Sequence, residues 1–228
     1  MDYQKDYYKV HNSFHSEDAP RKFSELKQLI SKDKFEKIVD LGCGGGYVTR
    51  LVKKEYKPKE IIAVDVSREA IKHAKDKDKS NIKYVVADAF TFDSKETDMV
   101  IITDLVEHVD DPKKLLRHIS TYSKELLVRI PLEHTFSNSL FKKLGFKDEY
   151  AKFREKYGHI HHYTVKSFIN QLKESNWNVK EFRVFKVPKR SYFPLELLRL
   201  FFYPLYFINP VWAANMIGGF LIVRASVK

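Results

Sequence analysis

The chain has 228 residues, of which 43% are hydrophobic, and this length predicts one domain over residues 1–228 with a substantial core and some insertions. Its formal net charge of +11 leaves nucleic acid, an anionic membrane surface and an acidic substrate open as partners. The single cysteine excludes an internal disulfide and any zinc site built from several cysteines.

Residues 1–35 are predicted to form an N-terminal lid and a first helix. No apolar run like that of a secretory signal occurs at the start, which predicts a cytoplasmic location. The stretch up to Pro20 is rich in Tyr and His without a period, so it is either a lid over a ligand or a loosely ordered leader. A helix is expected to begin at Asp18-Ala19-Pro20, with an apolar face made of Phe23, Leu26, Leu29 and Ile30.

Residues 38–49 hold the most informative pattern of the chain. An apolar strand ends near Asp40, a glycine-rich turn follows, and helical spacing then begins. The spacing D-x-G-x-G-x-G differs from a dinucleotide fingerprint, whose third glycine would fall at Tyr47. Because a carboxylate ahead of the glycines repels a pyrophosphate and attracts an amino group, the pattern favours a cationic ligand without phosphates.

This pattern after a strand resembles the first motif of the class I S-adenosylmethionine-dependent methyltransferases. The resemblance implies a Rossmann-like fold and S-adenosylmethionine as the cofactor. It also implies that the acid and the glycine backbone hold the methionyl end of that cofactor, through Asp40, Gly42, Cys43, Gly44 and Gly46.

Apolar runs and amphipathic helices alternate through the rest of the chain. After the first strand we predict strands at residues 61–64, 82–86, 99–102, 126–130 and 179–187, and a final antiparallel strand at 219–223. Continuous Val/Ile/Leu runs separated by helices indicate a buried parallel sheet with right-handed crossovers. The expected fold is therefore α/β, a doubly wound and mostly parallel seven-stranded sheet with an antiparallel last strand.

Acidic residues follow several of these strands. Asp65 lies about twenty residues beyond the glycines, where a carboxylate can accept hydrogen bonds from both ribose hydroxyls. Asp88, beside the main chain of Ala89, suits the exocyclic amine of an adenine and resembles the adenine pocket of the same family. Val66 and Thr103 complete the predicted cofactor contacts. The alternative is that these aspartates only cap the helices that follow.

Residues 103–112 resemble the segment after the fourth strand in small-molecule and quinone-precursor O-methyltransferases, where a Glu-His-Val triplet recurs. The resemblance implies that Asp104, Glu107 and His108 bind a divalent cation. Magnesium prefers oxygen ligands, so we assign no metal and keep two other interpretations open. These are a buried Glu–His pair that fixes a turn, and His108 as a general base for a hydroxyl acceptor.

Residues 132–163 are predicted to form an insertion on the acceptor side, as is usual in the resembled family. The run from Gly158 to Thr164 matches G-H-x-x-H-[FY]-[ST], another feature of that branch. His159 is assigned to the acceptor pocket as a second catalytic candidate, and a role at the helix entry is the alternative.

Residues 188–214 are predicted to form a hydrophobic aromatic insertion. Residues 200–223 carry no charge over a length near that of a bilayer span, but Pro204, Pro210 and Gly218 oppose a single spanning helix. The segment packs over the acceptor pocket, docks on a partner, or makes peripheral membrane contact through residues 192–212.

These patterns predict an enzyme that transfers the methyl group of S-adenosylmethionine to a small, lipophilic or aromatic acceptor. The N/D-P-P-Y/F signature of base-methylating enzymes is absent, which argues against a nucleic-acid acceptor. The net charge nevertheless keeps an RNA-directed methyltransferase as one alternative. The hydrophobic segment keeps a second alternative, a cofactor-binding interaction module without turnover.

Overall fold

A seven-stranded sheet lies at the centre of the fold, with side chains packed against both of its faces. The structure, a computed structural model, describes residues 16–30, 34–143, 145, 149–187 and 202–228. The strand order is β3-β2-β1-β4-β5-β7-β6. The strands are β1 (Lys37–Leu41), β2 (Glu60–Asp65), β3 (Lys83–Val86), β4 (Thr97–Thr103), β5 (Ser123–Leu132), β6 (Trp177–Phe185) and β7 (Gly219–Val227).

The pairing of the strands confirms the predicted fold class. Strands β1 to β5 pair in parallel, and β7 runs antiparallel to both β5 and β6. Several strands differ from their predicted bounds. β4 and β5 are longer at both ends, β6 begins and ends two residues earlier, and β7 continues to Val227. The apolar pattern stops at Val223, but β7 is paired on both sides, and Arg224 contacts Glu125 of β5 through an ion pair.

Helices cover the two faces of the sheet. They are α1 (Ala19–Lys27), α2 (Tyr47–Tyr56), α3 (Arg68–Lys77), α4 (Pro112–Ile119), α5 (Phe136–Lys143), α6 (Glu149–Tyr157), α7 (Val165–Glu174), α8 (Leu205–Ile208) and α9 (Pro210–Ile217), with a 3-10 turn at Val106–His108. Alternate residues of β1 enter opposite cores, Val39 and Leu41 on one face and Ile38 on the other. Helix α1 begins where the sequence predicts.

Two predicted segments are described only in part. Residues 1–15 of the predicted lid and residues 188–201 of the aromatic insertion lie outside the described residues. Helices α5 and α6 occupy the predicted acceptor-side insertion, and α8 and α9 occupy the C-terminal part of the aromatic one. Among the helices of the described residues, none combines the length and apolar character needed to cross a bilayer.

Candidate functional site

A cavity of about 540 Å³ opens at the carboxyl ends of the parallel strands. The strand order reverses between β1 and β4, which is where open α/β sheets bind their ligands. The cavity collects every predicted site residue except Gly46, namely Asp40, Gly42, Cys43, Gly44, Asp65, Val66, Asp88, Ala89, Thr103, His108 and His159. Residues after β1, β2 and β3 line one end, and residues after β4 and β5 line the other.

The glycine loop depends on left-handed backbone geometry. Gly42, Gly44 and Gly46 have φ of 73°, 53° and 70°, a region that favours glycine. A Cβ on Gly46 would lie 2.9 Å from both Cε1 and the hydroxyl oxygen of Tyr84, so this glycine serves the close packing of the loop. Burial raises the pKa of the Cys43 thiol, which keeps this side chain neutral within the loop.

Asp65 holds the glycine loop against the end of β2. Its two carboxylate oxygens accept hydrogen bonds from the N–H groups of Gly44 and Ser67, each at 2.8 Å. Burial raises the pKa of Asp65, and these backbone bonds oppose the shift. The hydroxyl of Ser67 caps α3, so Asp65 is not the cap of the following helix.

Asp40 is a buried carboxylate with unused hydrogen-bonding capacity. Its side chain is 2% exposed, Thr49 donates its hydroxyl to Oδ2, and Oδ1 has no hydrogen-bond partner. Burial is the main reason that its pKa is raised to about 6, and the bond from Thr49 only partly opposes it. An unsatisfied buried acceptor costs free energy, so a donor that entered the cavity here would be bound favourably.

Asp88 lies at the rim of the cavity and is exposed. Its Oδ1 accepts the N–H of Phe90 at 2.9 Å, and its carbonyl accepts the N–H of Phe92 at 2.9 Å. The residue therefore shapes the turn after β3. Its carboxylate also borders the cavity. The alternative that Asp88 caps a following helix does not apply, because β4 and not a helix follows β3.

The carboxylate of Asp104, which the resemblance assigned to a divalent cation, is bound by two basic side chains. It pairs with Arg129 and, at 2.9 Å, with the ammonium of Lys22. Burial would raise its pKa, but the charges of Arg129 and Lys22 hold it well below the usual carboxyl range. With φ of 54°, Asp104 adopts the left-handed backbone that turns its side chain toward these cations.

Three other residues lie close enough together to be considered as ligands of a metal ion. Glu107, His108 and His159 have potential ligand atoms within 4.8 Å of one another. Two of the three residues are histidines, whereas magnesium prefers oxygen ligands. The donor set therefore does not match the magnesium of the resembled branch, and we assign no metal to it.

Arg129 is a functional candidate that the sequence reasoning did not single out. It is fully buried in β5, and its Nε donates to Glu25 of α1 at 2.8 Å. Its guanidinium also lies 3.8 Å from the ring centroid of Phe220. The available signal was a single charge inside an apolar strand, since such a residue needs partners from elsewhere in the fold.

A second missed residue, Glu133, connects two histidines at the far end of the cavity. It follows β5 directly and is 7% exposed. His159 Nδ1 donates to one of its oxygens at 2.8 Å, and His162 Nδ1 donates to the other at 3.0 Å. Burial raises the pKa of Glu133, but the two histidines outweigh it and leave the pKa below its usual value.

His108 packs beside this group. Its ring centroid lies 4.8 Å from that of His159, and its Nδ1–H donates to the carbonyl of Gly158 at 3.3 Å. Burial, then the proximity of His159, lowers the pKa of His108 to about 4, so its ring is neutral at pH 7. Neighbouring Glu107 is fully buried without a hydrogen-bond partner for its carboxyl oxygens, and burial raises its pKa.

Comparisons with known proteins agree with this geometry. A family model described as a methyltransferase domain matches residues 15–181. The ubiquinone biosynthesis O-methyltransferase of Coxiella burnetii is 28% identical over 110 residues, covering 46% of this chain and 46% of that protein. A Papaver bracteatum protein named "Probable (S)-tetrahydroprotoberberine N-methyltransferase 2" is 27% identical over 122 residues, covering 50% of this chain and 34% of that protein.

The chain thus spans about half the length of the Coxiella burnetii protein and about a third of the length of the Papaver bracteatum protein. Among solved structures, the phosphoethanolamine N-methyltransferase 2 of Haemonchus contortus in complex with S-adenosyl-L-methionine superposes with a TM-score of 0.66 at 13% identity. The superposition covers 100% of this chain and 59% of the Haemonchus contortus chain. At this identity the likeness shows a shared fold.

Proposed function

Because this chain belongs to the class I S-adenosylmethionine-dependent methyltransferase family, we propose that it transfers a methyl group to a small acceptor bound in the cavity. One observation carries the proposal. Oδ1 of Asp40 is a buried acceptor without a partner, and it lies beside a glycine loop that Asp65 holds open. This arrangement suits a ligand that brings an ammonium group and a ribose.

S-adenosylmethionine fits the donor end of the cavity. Asp40 would accept a hydrogen bond from its amino group, Asp65 from its ribose hydroxyls, and Asp88 from its adenine amine. The bound cofactor supplies a sulfonium methyl as the electrophile. The protein then has to hold the acceptor in line with that methyl and to take one proton from it.

The acceptor end combines apolar walls with the histidine group. Leu105, Val109, Pro131, Tyr157 and Phe220 line it together with His108 and His159. Apolar and aromatic walls favour a lipophilic or aromatic acceptor. We assign His159 as the general base and the neutral His108 ring as its neighbour in the pocket wall. The proton of an acceptor O–H or N–H passes to His159 as the methyl group moves to that acceptor.

Peripheral membrane contact would give such an enzyme access to a lipophilic acceptor. Phe207 and Ile208 at the end of α8 are 88% and 80% exposed, and Trp212 of α9 is 48% exposed. An exposed apolar and aromatic patch on a chain with a formal net charge of +11 suits the surface of an anionic bilayer. We call these three residues the apolar surface.

The apolar surface is tested by co-sedimentation with vesicles of phosphatidylcholine and phosphatidylglycerol. Changing Phe207 and Ile208 together to Ser should reduce the bound fraction several-fold. Phe182→Ser is the matched control, because Phe182 is also an exposed phenylalanine, 39% exposed, but lies on β6 and is not part of the apolar surface. Equal sedimentation of the double variant and the control would refute membrane contact through this surface.

Calorimetry with S-adenosylhomocysteine tests the proposed function itself. Saturable binding is expected, and Asp65→Ala should weaken it at least tenfold, because both the ribose contact and the support of Gly44 are lost. Asp76→Ala, at an exposed position of α3, is the control and should bind as the wild type does. No saturable binding to the wild type would refute the cofactor assignment.

Labelled S-adenosylmethionine and a small-molecule extract of the source organism then identify the acceptor. A labelled low-mass product is expected. Labelled RNA in place of that product, with binding that weakens steeply as salt rises, would favour the RNA-directed alternative. Cofactor binding without any labelled product would favour an interaction module without turnover.

A further inference from the structure

Glu133 bridges two segments that are distant in sequence. It joins the end of β5 to the loop between α6 and α7, contacting His159 and His162 at separations of 26 and 29 residues. Each oxygen of the carboxylate binds one histidine, so the group is held at two points. The main chain reinforces the junction, since the N–H of His134 donates to the carbonyl of Tyr163 at 3.2 Å.

The bridge fixes the proton positions on both rings. An ionised carboxylate only accepts hydrogen bonds, so Nδ1 of each histidine must carry the proton. A neutral imidazole with its proton on Nδ1 has its lone pair on Nε2. The pKa of Glu133 lies below its usual value, which keeps the carboxylate ionised at neutral pH.

Two aromatic rings contact His159. Its ring centroid lies 5.6 Å from that of Tyr157 of α6 and 4.8 Å from that of His108. Among the described contacts, the titratable groups that face it include Glu133, His108 and Tyr157, with the buried carboxyl of Glu107 next to His108. Of these, Glu133 is the partner that contacts a ring nitrogen of His159 as an acceptor.

We propose that Glu133 is the positioning residue of the acceptor site, which holds His159 in the Nδ1–H form so that Nε2 can take the proton of the acceptor. The inference rests on the proposed function and deepens it. In the step, the bond from sulfur to the methyl group breaks and a bond from the methyl group to the acceptor forms. The acceptor proton moves to Nε2, and the resulting imidazolium lies against the Glu133 carboxylate, which stabilises it. His162 keeps the second oxygen of Glu133 in place.

The first test reads the tautomer of the two histidines and needs no acceptor. In protein with ¹⁵N-labelled histidine, the ring nitrogen shifts at neutral pH should identify the Nδ1–H form of His159 and His162. Glu133→Gln should shift both rings toward a mixture of tautomers. Glu155→Gln makes the same chemical change at an exposed position of α6 and should leave both spectra unchanged.

The second test separates positioning from a purely structural bridge. With labelled S-adenosylmethionine and the small-molecule extract, Glu133→Gln should lower the rate of product formation about 100-fold, the usual contribution of a general base. The affinity for S-adenosylhomocysteine should change less than twofold. His162→Ala removes one anchor and should lower the rate by a smaller factor, which keeps the test valid if the Glu133 variant does not fold.

The outcomes distinguish this inference from the proposed function. Unchanged tautomers in Glu133→Gln would overturn the inference even if the cofactor binds. Altered tautomers with a rate equal to that of the Glu155 control would also overturn it, because the bridge would then serve the structure alone. Absence of S-adenosylhomocysteine binding to the wild type would refute the proposed function, while the spectra would still report whether Glu133 sets the proton positions.

Discussion

Replacing Asp40 with Asn should separate stability from cofactor binding. The pKa of Asp40 in the folded protein is about 6, against an ordinary value of 3.8, because the side chain is buried. A raised carboxyl pKa means that the folded state binds the proton more tightly than the unfolded chain does. The Asp40 contribution therefore lowers the free energy of unfolding as pH rises from about 4 to 6. At pH 7 the free energy of unfolding is lower by about 3 kcal/mol, because the pKa of Asp40 is about two units higher in the folded state than in the unfolded chain.

Cofactor binding should have the opposite pH dependence. The amino group of the cofactor is cationic, so it binds the ionised form of Asp40. With a pKa of about 6, the ionised fraction is about ten elevenths at pH 7 and one eleventh at pH 5. The affinity for S-adenosylhomocysteine should thus fall about tenfold between these values, or about 1.4 kcal/mol.

Asp40→Asn keeps the shape of the side chain and its contact with Thr49 but removes the charge. At pH 7 the free protein should become more stable, as measured by denaturant unfolding. Its affinity for S-adenosylhomocysteine should fall about 10- to 100-fold, the range for losing a charge-assisted hydrogen bond. Asp65 also has a raised pKa, so the difference in pH slope between wild type and variant isolates the Asp40 contribution.

The reasoning would be refuted by a variant that binds S-adenosylhomocysteine as tightly as the wild type at pH 7. It would equally be refuted if, between pH 7 and pH 5, the affinity of Asp40→Asn for S-adenosylhomocysteine fell by the same factor as that of the wild type. Either result would mean that the unpartnered oxygen of Asp40 does not contact the ligand.

Four further substitutions, one of them a control, probe the packing and the buried charges that support the site. Gly46→Ala should lower the free energy of unfolding by about 2–4 kcal/mol, from the left-handed backbone and the contact with Tyr84. Gly145→Ala, also at positive φ but with no atom within 4 Å of the new Cβ, should lose only about 1 kcal/mol in the same denaturant titration. Arg129→Met should destabilise the protein by about 3–5 kcal/mol because the buried acids it contacts lose their cation, and an unchanged melting temperature would contradict this. Glu107→Gln should stabilise the protein increasingly as pH rises above the usual carboxyl range, since the pKa of Glu107 is raised, and parallel stability–pH curves for variant and wild type would show otherwise.

The sequence by itself determined the sheet and the donor end of the cavity. Asp40 and Asp65 are recognisable because each directly follows an apolar run of sequence, and the glycine loop because it comes directly after β1. In a parallel sheet the carboxyl ends of the strands meet at one edge, so residues that are far apart in sequence converge there by topology alone. The order of the elements and the side of the sheet that binds a ligand therefore follow from local patterns.

Only the tertiary structure decided which charged residues pair at the acceptor end. Asp104 is in the predicted segment but binds Arg129, and Arg129 in turn binds Glu25, 104 residues away. Glu133 binds His159 and His162, a pairing that the sequence analysis did not predict. An apolar pattern indicates that a position is buried, but it does not say which distant partner will neutralise a buried charge, because that choice depends on the packing of whole elements.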